Sequence, residues 1–134
     1  MFTLVDEEMS FTWAHIELYA DPGYTEYQAG LGPVYIVENF EDAFFPLQWT
    51  RVCLSLDSIS SKVMLVVDGQ LLGEKEYRRE EDLHRPAKIS LVLGFDPDSQ
   101  DELTGRIAGV NIFNSSLSLE RMIIQTTAGF DNND

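Results

Sequence analysis

Cysteine is almost absent from this chain. Cys53 is the single one in 134 residues, so no intrachain disulfide can staple the fold. Stability must come from a buried apolar core, which a single domain of this length can supply. Histidine is nearly as scarce. His15 and His84 lie far apart, and neither has a Cys or His at metal-ligand spacing, which argues against a zinc centre. Positive charge is in short supply: 9 Lys and Arg face 23 Asp and Glu, a formal net charge of −14. Such a surface repels polyanions and argues against nucleic acid and anionic membranes as partners. No apolar run is long enough to insert across a bilayer. The N-terminus, MFTLVDEEMS, has no basic n-region and turns acidic at Asp6, so it does not read as a signal peptide. Taken literally, that start would keep the chain in the cytosol. Also missing are G-x-S-x-G, the P-loop, H-E-x-x-H and G-x-G-x-x-G, and the expectation is a non-enzymatic protein.

The most informative stretch runs from Trp49 to Gly69, WTRVCLSLDSISSKVMLVVDG. Val52, Leu54 and Leu56 alternate with Arg51, Cys53 and Ser55, the period of a strand. Ser58 to Ser61 supply a polar turn. Val63 to Val67 form a short apolar run, consistent with a strand buried on both faces. Asp68-Gly69 is a strong hairpin signal, because a type I′ turn needs positive φ at both central positions.

The remaining segments continue the β pattern. Phe2 to Val5 predicts a short strand, followed by a solvated Asp6-Glu7-Glu8 turn. Phe11 to Tyr19 alternates, with Thr12, Ala14, Ile16 and Leu18 as the core face. Asp21-Pro22-Gly23 is a turn. Tyr24 to Gln28 and Val34 to Val37 predict further strands, and Glu38 to Pro46 a loop. Gln70 to Tyr77 forms the second arm of the hairpin. Arg78 to Arg85 is a charged loop whose basic residues are interrupted by Glu80, Glu81 and Asp82, and Pro86 limits any helix there. Ile89 to Leu93 and Arg106 to Phe113 complete the predicted strands. Ser118 is placed as a helix N-cap with Glu120 in the first turn. Leu119, Met122 and Ile123 form a short amphipathic face, and Gly129 is the stop. The organisation expected is one domain over residues 1–129 and a polar tail over 130–134. Asn114-Ser115-Ser116 is an N-glycosylation sequon, meaningful only in a secreted chain.

Two groups of residues carry a family resemblance. Trp49-Thr50-Arg51-Val52-Cys53-Leu54, followed by Val66-Val67-Asp68-Gly69, resembles the central hairpin of laminin-G-like and pentraxin-like domains. Leu91-Val92-Leu93-Gly94, an acidic loop, then Thr104-Gly105-Arg106-Ile107-Ala108-Gly109-Val110-Asn111-Ile112-Phe113 and Leu117-Ser118 resemble the later strands of the same domains. The resemblance implies an all-β, concanavalin-like antiparallel β-sandwich (a jelly roll) of the concanavalin A-like lectin/glucanase superfamily, with one short helix near the C-terminus. It implies an extracellular or cell-surface module. It also implies a domain incomplete at one or both ends, because in pentraxins the cysteine at the position of Cys53 pairs with one on an earlier strand. From the residues alone, Cys53 reads as a small buried hydrophobe. Missing outer strands would leave unpaired sheet edges and favour self-association.

The stretch Phe95 to Glu102, FDPDSQDE, concentrates Asp96, Asp98, Asp101 and Glu102 in one loop. Ca²⁺ takes six to eight oxygen ligands, and an acidic loop can bring carboxylates and carbonyls to one point. The spacing is not that of an EF-hand. In pentraxins, the loop after the L-x-L-G strand carries calcium-binding acids, and Asp96 and Asp98 fall near those positions. The other reading is a solvated acidic connection. The superfamily also contains glucanases, which need two carboxylates about 5–5.5 Å apart for a retaining mechanism; no acids alternate along an apolar strand here. The expected function is therefore an extracellular module binding a glycan, lipid head group or protein partner, with Ca²⁺ as the candidate cofactor. The alternative is a structural or interaction domain of a larger surface protein with no small-molecule site.

Overall fold

A computed structural model of the chain describes residues 2–6, 11–21, 24–31, 34–40, 48–57, 59–76, 88–94 and 105–127. Eight strands and one helix lie within them: β1 (Phe2–Asp6), β2 (Phe11–Asp21), β3 (Tyr24–Leu31), β4 (Val34–Phe40), β5 (Val52–Asp57), β6 (Lys62–Val67), β7 (Gln70–Glu76), β8 (Ile89–Leu93) and α1 (Leu119–Thr127). They form two antiparallel sheets. The first has the order β4-β3-β2-β1-β8 and the second β5-β6-β7.

Most of the buried apolar residues described lie in the β5–β7 meander. In β5 and β6, Val52, Leu54 and Leu56 pair directly with Val67, Leu65 and Val63, which places these apolar residues on one face. Leu65 and Val67 pack against Ile16 of β2, Leu54 and Leu72, so this face meets the five-stranded sheet. The opposite face carries Cys53, Ser55, Met64 and Val66 and receives α1. β6 is accordingly buried on both faces: Val63, Leu65 and Val66 are fully enclosed. Each such side chain contributes about 1.5–3 kcal/mol relative to leaving it in water.

Local chemistry fixes the turns. Asp68 and Gly69 have φ of 45° and 80°, the double positive φ that the Asp-Gly signal demands. Between β5 and β6 the Asp57 carboxylate accepts the Ile59 N–H at 2.8 Å and the Ser60 hydroxyl at 2.6 Å, an Asx-type turn. These two bonds, the Ser60 one foremost, hold Asp57 below the ordinary carboxylate range.

Two bulges have no counterpart in the simple alternation. The β1–β2 register shifts between Leu4 and Val5, leaving Trp13 as the extra residue. The β6–β7 register shifts between Leu65 and Val66, leaving Leu72 as the extra residue. The second bulge turns Leu72 onto the core of Leu65 and Val67.

One predicted strand is corrected. Residues 106–113 form no strand. Gly109 adopts a φ of 64°, in the left-handed region, and the Asn111 side-chain amide donates to the Gly109 carbonyl at 3.1 Å. That local bond competes with ladder pairing, and the left-handed residue breaks the pleat. Ile107, Val110, Ile112 and Phe113 are all exposed. A smaller correction lengthens β4 to Phe40, beyond the expected start of the loop at Glu38.

Candidate binding surface

The helix is tied to the meander by reciprocal hydrogen bonds. Ser118 caps α1: its hydroxyl oxygen accepts the Arg121 N–H at 3.4 Å, and its carbonyl accepts the Met122 N–H at 2.9 Å. Glu120 lies in the first turn, where a carboxylate favours the positive end of the helix dipole. Just before the cap, the Ser55 hydroxyl donates to the Leu117 carbonyl at 3.1 Å, and its oxygen accepts the Leu117 N–H at 3.0 Å. At the other end of the helix, Thr126 Oγ1 accepts the Gly69 N–H at 3.0 Å and donates to the Met122 carbonyl at 2.9 Å. Met122 and Thr126 are buried by this docking. The predicted face of Leu119, Met122 and Ile123 is the one turned inward. Thr126 escapes a hydropathy reading because its burial depends on a backbone partner 57 residues away.

The I′ turn is closed from a third direction. Asp68 donates its N–H to the Arg51 carbonyl at 2.9 Å and accepts the Arg51 N–H on its carboxylate at 2.9 Å. Hydrogen bonds thus join Ser55 and Gly69 of the meander to the segment from Leu117 to Thr127. Two other stretches are candidates for a site: the acidic sequence that follows β8 and the exposed apolar segment 107–113.

Gly94, at the base of the acidic loop, has a φ of 75°. β8 is the edge strand of the five-stranded sheet, with Leu93 opposite Phe2. The acidic stretch follows this strand in sequence. Asp96, Asp98, Asp101 and Glu102 themselves lie outside the described residues. Among the described residues, no group of three or more His, Cys, Asp or Glu is arranged to hold a metal ion. His15 sits within β2 opposite Thr3 and Gly30, and His84 is outside the described residues.

Several apolar side chains among the described residues are exposed. Ile112 and Phe113 keep 60% and 49% of their surface open, and Leu91 and Leu93 on β8 keep 41% and 44%. Trp49 is likewise exposed. On the strand pair β6–β7, Lys62 Nζ lies 2.6 Å from Glu74 and 3.9 Å from Glu76. The bond to Glu74, then its charge, pushes the Lys62 ammonium above the usual lysine range. Cys53 is half-buried and free, and burial pushes its thiol up, the reverse of what activates a cysteine nucleophile.

A family model of the laminin G type, described as the concanavalin A-like lectin/glucanases superfamily, matches residues 13–121. The chain belongs to this superfamily. The match runs from within β2 to the first turn of α1 and leaves β1 outside it. Membership supports a binding module in general. No curated protein and no solved structure matches the chain. No helix among the described residues is long and apolar enough to cross a membrane.

Proposed function

We propose that this chain is an extracellular binding module that recognises a carbohydrate, a lipid head group or a protein partner through the loops at its sheet edge. Calcium, held by Asp96 and Asp98 with Asp101 and Glu102, orders that site. The observation that carries the reading is the laminin G-type match across residues 13–121, since domains of this class are commonly extracellular and typically bind rather than catalyse. The fold by itself does not choose the ligand. The choice of loop rests on composition and position: four carboxylates between Gly94 and Gly105 follow an edge strand. A hard dication needs such an oxygen-rich stretch, and the net charge of −14 draws cations towards it.

Capture of immobilised glycans and lipid head groups by the purified chain, in Ca²⁺ and in EGTA, tests the reading. Binding that disappears in EGTA and in the Asp96→Ala/Asp98→Ala variant is expected. Capture that is indifferent to both removes calcium from the account.

A structural or interaction domain is the second reading. The exposed apolar run of Ile107, Val110, Ile112 and Phe113 favours it, because such a strip suits a protein partner better than a soluble sugar. Capture of no glycan and no head group would favour this reading.

A further inference from the structure

We infer that Asn114 is an N-glycan attachment site; the inference rests on the extracellular reading. Asn114-Ser115-Ser116 is the only N-x-S/T triplet in the sequence, and neither Ser115 nor the following Leu117 is the proline that would forbid transfer. Asn114, Ser115 and Ser116 are all exposed, and the chain bends at Asn114 and Ser115. Among the described residues, no hydrogen-bond partner occupies the Asn114 amide. Among the described residues, a bulky glycan there displaces no buried side chain.

The position is also held. Leu117, three residues on, is locked to Ser55 of β5 through both its N–H and its carbonyl, and Ser118 begins the capped helix. The exposed acceptor asparagine therefore lies three residues before a hydrogen-bonded anchor to β5. Its neighbours Ile112 and Phe113 are among the most exposed apolar residues described. A hydrated glycan beside them covers a strip that would otherwise favour association.

The chemistry balances with one co-reactant, a lipid-pyrophosphate-linked oligosaccharide, and the transferase of the secretory pathway that uses it. The Asn114 side-chain nitrogen forms a bond to the anomeric carbon of the first sugar. The bond from that carbon to the pyrophosphate oxygen breaks, and lipid pyrophosphate leaves. The amide proton lost is taken up by the transferase or solvent. The Ser116 hydroxyl is the part of the acceptor triplet that the transferase reads.

The test is to express the full chain behind a secretory signal sequence in eukaryotic cells and treat the secreted protein with peptide-N-glycosidase F. A downward gel shift is expected, with Asn114 read as Asp in the released peptide. Asn114→Gln and Ser116→Ala should each abolish the shift, while Ser116→Thr should keep it. Secreted, cooperatively melting chain with unmodified Asn114 would overturn the inference. Forced secretion separates this outcome from failure of the extracellular reading, which is judged independently by whether the natural chain reaches the medium or the cell surface.

Discussion

Gly69→Ala should be among the most damaging single-methyl additions in this molecule. Gly69 has a φ of 80°, and a Cβ built there would overlap Thr127 Cγ2 at the end of α1. Two costs combine. An L-residue held in the left-handed region costs about 1–2 kcal/mol. Forcing a methyl into a packed contact costs about 1–3 kcal/mol. Rotating Thr127 away is not free, because its hydroxyl donates to the Ile123 carbonyl at 2.8 Å. Any shift of the helix also strains the Gly69 N–H bond to Thr126. The expected loss is about 2–5 kcal/mol, a large share of the stability of an ordinary domain. Urea denaturation of wild type, Gly69→Ala, Thr127→Ala and the double variant separates the two costs. In the Thr127→Ala background only the backbone strain should remain, about 1–2 kcal/mol, which makes the coupling about 1–3 kcal/mol. A Gly69→Ala cost that is the same in both backgrounds would refute the docking of α1 on the hairpin turn.

Three further outcomes follow from the same geometry. Ser55→Ala should cost about 1–3 kcal/mol by urea melt, because it strands the Leu117 N–H and carbonyl beside the sheet; a neutral change would contradict the reciprocal bond. Asp57, whose folded-state pKa is lowered, adds stability that is present above its unfolded pKa and is lost as pH falls through the depressed one. Asp57→Asn should flatten the acid limb of stability against pH, and an unchanged limb would contradict the Asx turn. Among the described residues β5 pairs only with β6, and β8 only with β1, so concentration-dependent association is expected in sedimentation and should weaken when Val52→Lys charges the β5 edge; a stable monomer at all concentrations would contradict it.

The meander was readable in the sequence because three independent signals agree there: period-two alternation in Val52 to Leu56, the apolar run Val63 to Val67, and Asp68-Gly69. Local propensity and tertiary burial point the same way, so nothing overrides the pattern. The helix was readable from Ser118 and Glu120 for the same reason. Where the reading failed, a local interaction defeated the pattern. Ile107 to Phe113 has strand composition, yet Gly109 takes a left-handed φ and Asn111 bonds back to its carbonyl. The bulges at Trp13 and Leu72 were hidden because an inserted residue keeps the composition of a strand while shifting its register. Ser55 and Thr126, which dock the helix, look like surface residues in any hydropathy scale. Their partners are main-chain groups 62 and 57 residues distant. The acidic loop was legible only as composition, because metal coordination depends on how a loop folds back on itself and carboxylate count alone does not determine that.

The most direct measurement is a thermal melt of the purified chain in EGTA and in millimolar Ca²⁺, with Mg²⁺ as the control. A ligand present at about 100 times its dissociation constant stabilises the native state by about 2.7 kcal/mol, which raises the midpoint of a domain of this size by several degrees. The account predicts a calcium-specific rise that Asp96→Ala with Asp98→Ala abolishes. A cooperative melt whose midpoint is the same in EGTA and Ca²⁺ would contradict it and leave the acidic loop as solvated surface.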